Sequence, residues 1–303
     1  MINNELIFVI DGTYLMHKMA FVMHKNRTLY GELYNGMMYH YNRISNLYPF
    51  KGIILVSDKG TTWRKGIYPD YKGKRIKNEE IDWDFVKETY KQFKETLQEQ
   101  PRVKIFEKDG LEGDDWISKI VKNNKSKSVN TLIYSNDSDI QQLIECTNNC
   151  ITFMVNENLG KEVVFLPENY KEFIYALKSQ ISNRSIFEES FDDNLVDFLD
   201  NLDVTKTVVE VDKNKALFTK LVKGDKGDNI PSIIKVKDRG IGDSGADKLW
   251  DIYLNEYGFL DLKTDAWMDN VVDLVCDYKK VPFETYNKQV LENLKLNYKL
   301  IKL

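Results

Sequence analysis

The chain has 303 residues, 42% of them hydrophobic and 30% charged, with 6 prolines and 16 glycines. That length holds one large domain or two moderate ones, and that composition excludes long disordered tracts. The net charge of −4 does not announce a nucleic-acid binder, so the distribution of charge carries more information than its sum. Cys146, Cys150 and Cys276 form no disulfide framework. Neither they nor His17, His24 and His40 have the spacing of a zinc site or a catalytic triad. The apolar run Leu6 to Ile10 lacks a basic flank and is too short for a signal peptide or a membrane span, so a cytoplasmic protein is expected.

In chain order, Leu6–Ile10, Gly52–Val56, Arg102–Phe106 and Thr131–Tyr134 read as buried strands. Helical spacing falls between them, at roughly 13–24, 36–47, 81–99, 113–122 and 138–145. Strands alternating with helices predict an α/β fold with a mostly parallel central sheet flanked by helices. Ile151–Val155 and Glu162–Phe165 flank Asn156-Glu-Asn-Leu-Gly160 and predict a hairpin. Beyond residue 166 the spacing is helical, which places a soft boundary at 166–190. An α/β domain over 1–170 and a smaller, mainly helical domain over 171–303 are expected.

Three of the strands run into aspartate: Asp11 after Ile10, Asp58 after Val56, and Asp137 after Tyr134, with Asp139 two residues on. Parallel strands end on one edge, where α/β proteins form their crevice. A turn or helix-cap role explains any one of these acids; it explains three together less well. Glu112, Asp114 and Asp115 open an amphipathic helix, where acids also meet the helix dipole favourably. Asp225 and Asp228 stand three apart, on one side of a helical turn. If these nine carboxylates meet, they repel one another unless a cation relieves them. Oxygen donors without His or Cys suit magnesium or manganese, and more acids than one ion uses suggest a two-metal phosphoryl-transfer site.

Between Asp58 and the acidic helix lies a basic stretch: Lys59, Arg64, Lys65, Lys72, Lys74, Arg75 and Lys77, interleaved with Trp63, Tyr68 and Tyr71. Cations for phosphates and rings for bases suit a single strand, although a solvated surface face reads similarly. Lys18 near Asp11 is a further candidate phosphate contact. Gly240-Ile-Gly-Asp-Ser244 offers backbone N–H groups at a helix start, and Gly240, Gly242 and Ser244 are candidates to hold a duplex phosphate.

The run Phe8-Val-Ile-Asp-Gly-Thr13 resembles the first motif of the flap-endonuclease and 5′-3′ exonuclease family. Ser57-Asp-Lys-Gly60 with Trp63-Arg-Lys65, and Tyr68-Pro-Asp-Tyr-Lys-Gly-Lys-Arg75, resemble the motifs that follow. Glu112-Gly-Asp-Asp115, Ser135-Asn-Asp-Ser-Asp139 with Gln142 and Leu143, and Gly224-Asp-Lys-Gly-Asp-Asn-Ile-Pro231 complete the order. The resemblance spans about residues 8–250. Lys235–Arg239, inserted before Gly240, points to the bacteriophage branch, which includes a phage ribonuclease H that removes primers.

The resemblance implies a PIN-like 5′-nuclease domain with a basic arch at about 60–100, and a helical domain with a helix-hairpin-helix-type DNA-binding motif. It assigns Asp11, Asp58, Glu112, Asp114 and Asp115 to the surroundings of a first Mg2+, and Asp137, Asp139, Asp225 and Asp228 to a second, with Mn2+ able to substitute and K+ a candidate ion at the hairpin. It matches Lys72 and Arg75 to catalytic cations. It implies branched or nicked duplex DNA and RNA–DNA hybrid as substrates in phage replication. The expected setting is a monomer in the bacterial host cytoplasm, with single-strand-binding protein or sliding clamp as candidate partners.

Three alternative readings fit part of the sequence. A haloacid-dehalogenase-like phosphatase needs an aspartate where Val9 stands. A PIN-type single-strand ribonuclease lacks the long second domain. A structure-specific DNA-binding scaffold that has lost catalysis is expected to lose some of the nine acids, and all are present.

Overall fold

Leu6–Asp11 (β1) is an uninterrupted apolar run ending in one acid, the pattern of a strand covered on both faces. A computed structural model describes residues 5–26, 32–46, 50–158, 161–182, 194–200 and 207–303. The chain divides into two compact units, Met1–Thr62 with Lys77–Val211, and Trp63–Ile76 with Asp212–Leu303.

The first unit is built on one sheet. β1 pairs in parallel with Gly52–Val56 (β2) and Asn130–Tyr134 (β4), and β2 with Val103–Phe106 (β3). Glu145–Cys146 (β5) and Ile151–Asn158 (β6) follow; β4 pairs in parallel with β6, which closes an antiparallel hairpin with Lys161–Pro167 (β7). Thr207–Val211 (β8) adds in parallel to β7, giving the order β3-β2-β1-β4-β6-β7-β8.

Alternation sorts the two faces. Phe8, Ile10, Leu55 and Leu132 join a core with Leu15 and Met19 of Gly12–Asn26 (α1), Met37 and Tyr41 of Leu33–Ser45 (α2), and Val86, Tyr90, Phe93 and Leu97 of a later helix. Gly113–Ser126 (α5) packs on β1 and β4 and buries Ile117, Ile120 and Val121. The expected α/β fold and the hairpin are therefore present. Ser138–Leu143 is a 3-10 helix rather than an α-helix.

Two boundaries differ from the sequence reading. The first unit runs through Tyr170–Ser182 (α6), Asn194–Asp200 (α7) and β8 to Val211, because β8 completes the sheet beyond the hairpin. The stretch 60–100 does not act as one piece. Trp63–Ile76, with the short helix Arg64–Ile67 (α3), belongs to the second unit. Trp83–Gln98 (α4) is a core helix of the first, capped by the Asp82 side chain on the Phe85 N–H.

The second unit is helical: Lys213–Lys223 (α8), Asp243–Tyr257 (α9), Ala266–Lys279 (α10) and Phe283–Ile301 (α11). Leu217, Leu221, Trp250, Tyr253, Val271, Val275, Val290 and Leu294 form its core, and Tyr71 is buried with them. Among the described residues, no helix is long and apolar enough to cross a membrane.

Candidate active site

In the first unit the parallel register aligns the strand ends. Asp11 is level with Val56, so Asp58 projects two residues beyond it, and Ile10 is level with Tyr134, so Asp137 follows on the other side. Asp58 and Asp137 are exposed, while Asp11 lies half-buried between them. Its carboxylate accepts the Tyr14 N–H at 2.9 Å and the Ser135 hydroxyl at 2.8 Å. Burial pushes Asp11 up to about 7, and the charges of Asp58 and Asp137 add to that rise against the lowering by its hydrogen bonds. The three acids are thus near enough to repel.

The acidic helix start reaches the same edge. The Gly113 N–H donates to Asp58 Oδ1 at 2.7 Å, and a Cβ built on Gly113 would lie 3.3 Å from Asp58 Oδ1 and 3.6 Å from Asp11 Oδ1. Glu112 is buried and accepts the Thr62 hydroxyl at 2.9 Å. Its own N–H donates to Asp115 Oδ2 at 3.0 Å, and Asp114 Oδ1 accepts the Asp115 N–H. Asp137 accepts the Asp139 N–H at 2.9 Å.

The edge thus gathers Asp11, Asp58 and Asp137, with the Glu112–Asp115 turn against them. Among the described residues, however, no three Asp, Glu, His or Cys side chains are closed to coordination geometry. The carboxylates accept backbone and hydroxyl donors, which offset part of their mutual repulsion. Mutual repulsion, oxygen-only chemistry and an open rim suit a hard divalent cation.

Asp225 and Asp228 lie in the second unit, with cations of that unit. Asp225 accepts the Lys220 ammonium as well as the Gly227 N–H at 2.7 Å, and its loop is closed by a bridge to Ile230. Burial raises the Asp225 pKa, but Lys220 and the backbone N–H groups lower it further, so the net shift is downward. Asp228 accepts the Tyr71 hydroxyl at 2.7 Å and the Arg75 guanidinium, with Lys72 Nζ at 4.0 Å.

Residues 6–172 match the profile of the family described as 5′-3′ exonuclease, N-terminal resolvase-like domain. The chain belongs to this family. A 5′-3′ exonuclease of Mycoplasmopsis pulmonis is 27% identical over 62% of this chain and 61% of its own length. One of Mycoplasma genitalium is 29% identical over 44% and 43%. The chain therefore spans less than two thirds of these relatives. Among solved structures, a bacteriophage T5 5′-exonuclease superposes with a TM-score of 0.56 at 18% identity, covering 98% of this chain and 88% of that one. The T5 flap endonuclease in a pseudo-enzyme–product complex with DNA and metal ions gives 0.54 at 16% identity, covering 96% and 100%. These likenesses show a shared fold.

The family profile covers Asp11 through Asp139 and ends before Asp225. Two candidate nucleic-acid contacts, Arg64 and Tyr71, are buried, and a third, Lys18, is half-buried in an ion pair. Arg64 is buried, donates from Nε to the Leu300 carbonyl at 2.8 Å and lies over the Trp63 ring. Tyr71 is a core residue of the second unit, so its ring offers no stacking platform. Lys18 donates to the Tyr134 hydroxyl at 2.9 Å and to Glu157 at 3.1 Å. A cation and a ring in sequence do not reveal that core packing has claimed them. Lys65, Lys74 and Lys77 are exposed, as expected. In the hairpin between α8 and α9, Gly242 caps α9 with open space around it and Ser244 is exposed. Gly240 instead packs against Ser232, where a Cβ would meet the Ser232 Cβ at 2.7 Å.

The sequence reading missed the ion cluster around Lys18. Glu157 on β6 accepts Lys18 and Arg43, Arg43 also reaches Glu162 on β7 at 3.1 Å, and His40 lies 3.7 Å from Glu157. The sequence reading put Glu157 in the hairpin turn, where an acid gives no signal; β6 instead runs through it to Asn158. Burial raises the Glu157 pKa, but Lys18, Arg43 and His40 pull it down further, to below its ordinary 4.5. A depressed carboxylate stabilises the fold above its unfolded pKa and loses that contribution as pH falls through the folded one. Glu157→Gln is therefore expected to be less stable than the parent at neutral pH. The gap should narrow as pH falls below 4.5. Urea melts at a series of pH values check this, and a gap that persists in acid would contradict it.

Proposed function

We propose that the chain is a divalent-metal-dependent, structure-specific 5′-3′ nuclease that hydrolyses phosphodiester bonds at the 5′ end of nicked, flapped or RNA-primed duplexes. The single observation that carries this reading is the meeting of Asp11, Asp58 and Asp137 at one edge of a parallel sheet, against the Glu112–Asp115 helix start.

Asp11, Asp58 and Asp137 would hold a metal directly or through water, with Glu112, Asp114, Asp115 and Asp139 around them. Asp225 and Asp228 are assigned as further ligands by motif order alone. Magnesium, with manganese substituting, is the proposed ion. When bound, such a cation supplies Lewis acidity for the attacking water and offsets charge on the leaving oxygen. The Gly113 N–H keeps the Asp58 carboxylate aimed at the edge, and Ser135 and the Tyr14 N–H fix Asp11. Lys72 and Arg75 would meet the negative charge that grows on the scissile phosphate. Lys65, Lys74 and Lys77 would draw in the single strand, and the Gly242–Ser244 N–H groups would hold a duplex phosphate. The Arg239 and Gly240 carbonyls already meet the Lys279 ammonium, so a potassium ion there would compete with a resident cation.

Clearing primers or flaps in the cytoplasm, alongside a single-strand-binding protein or clamp, is the setting this chemistry suits. One gel tests the activity: 5′-labelled flap, nicked and RNA-primed duplexes, with and without magnesium. Cleavage near the 5′ end that needs magnesium is expected; no cleavage, or equal cleavage in EDTA, would reject it. Lys72→Ala is expected to slow single-turnover cleavage by about 100-fold, the order set by loss of one transition-state donor. An unchanged rate would remove its role.

A further inference from the structure

We propose that Asp228 is a resting-state latch for Arg75 and Lys72, holding both cations until a nucleic-acid phosphate displaces the carboxylate. The incoming group rests on the nuclease reading; the latch itself does not.

The latch contacts lie within the second unit. Asp228 Oδ1 accepts Arg75 Nη2, Oδ2 accepts the Tyr71 hydroxyl at 2.7 Å, and Lys72 Nζ stands 4.0 Å away. The backbones are tied as well. The Lys72 N–H donates to the Asp228 carbonyl at 2.8 Å, Arg75 Nε to the Gly227 carbonyl at 3.1 Å, and Asn229 Nδ2 to the Asp70 carbonyl at 2.9 Å. Lys72 takes a left-handed φ of 55°, a conformation that a non-glycine residue keeps only when its surroundings hold it. The backbone bond to Asp228 is one of the contacts that hold it.

Exposure makes the latch releasable from one side. The Arg75 side chain is 56% exposed, whereas that of Asp228 is 13% exposed. An ion pair open to water on its cationic side is weak, so a phosphate exchanges for the carboxylate at small cost. Tyr71 is buried on the other side and keeps its hydrogen bond when Arg75 leaves. The carboxylate is then not left without a donor. Asp225 does not compete for these cations, since Lys220 already occupies it.

The test uses the full chain in EDTA, with a fluorescein-labelled, 5′-phosphorylated oligothymidylate as probe. Asp228→Asn is expected to speed amide exchange at residues 71–75 and to tighten oligonucleotide binding about fivefold, the order of an exposed ion pair. Asp251→Asn, a matched charge change at an exposed position, should do neither. In an Arg75→Gln background the gain from Asp228→Asn should fall to less than half, which a double-mutant cycle reads without requiring any one variant to behave perfectly. Unchanged exchange, an equal gain from Asp251→Asn, or a gain that survives Arg75→Gln would overturn the latch. Absence of magnesium-dependent cleavage with the cycle intact would count against the nuclease reading and leave the latch standing.

Discussion

Replacing Asp58 with Asn is expected to lower single-turnover cleavage of a flapped duplex by more than about 100-fold, because loss of a carboxylate proposed to hold the metal exceeds the loss typical of its supporting partners. The physical case is local. Asp58 is exposed at the sheet edge, and one of its oxygens accepts the Gly113 N–H at 2.7 Å. Asn keeps an oxygen for that bond and nearly the same shape, so the fold should survive while one negative charge disappears. Binding of the same duplex in calcium or EDTA should therefore stay within about twofold, a change of less than ~0.5 kcal/mol. Asp139→Asn should behave alike, since its N–H bond to Asp137 is a backbone bond that the substitution leaves in place. Rapid-quench measurements decide both. Full activity in either variant would strip that carboxylate of its metal role, whereas joint loss of binding and cleavage would point to a damaged fold.

The second large effect is on stability. Gly224 ends α8 with φ 74° and ψ −171°, a region that only glycine populates readily. A Cβ there would lie 2.3 Å from the Pro231 carbonyl oxygen and 2.5 Å from that of Ile230. Both neighbours are backbone, and both belong to the loop that carries Asp225 and Asp228. The clash cannot be relieved by rotating a side chain. Gly224→Ala should cost roughly 3 kcal/mol or more, combining strained dihedrals with overpacking. Gly258 provides the comparison. Its φ is 80°, but a Cβ added there would meet nothing within 4 Å, so Gly258→Ala should cost only about 1 kcal/mol. Urea melts of both variants test the difference, and equal losses would show that steric contact at Gly224 is not the cause.

Much of the first unit was legible because its signals are local. Uninterrupted runs such as Leu6–Ile10 fix buried strands, and strands joined through helices fix a parallel sheet. Once the strands are parallel, their shared C-terminal edge follows from geometry, and with it the proximity of Asp11, Asp58 and Asp137. β8 was not legible. Thr207-Val-Val-Glu-Val211 is short, and its partner β7 is reached only after a long crossover. The unit boundary moved for the same reason.

Side-chain roles that depend on distant partners were the least readable. Arg64 sits in a stretch rich in cations, yet its Nε partner is the Leu300 carbonyl near the other end of the chain. Tyr71 looks like a stacking ring until the helices of the second unit close around it. Lys18 follows Asp11 closely in sequence, on α1, but Glu157, which engages it, lies on a hairpin strand. In each case the residue type was compatible with nucleic-acid contact, and the long-range partner that the fold supplies was not visible in the sequence.

The strand-end carboxylates of the folded chain are expected to hold a divalent cation. Titrating Mn2+ into the intact protein, and following the loss of the free ion's electron paramagnetic resonance signal, tests it most directly. Saturable binding that is lost or greatly weakened in Asp58→Asn, and preserved in Asp251→Asn, is the expected result. Absence of saturable binding, or the same isotherm in all three proteins, would contradict it.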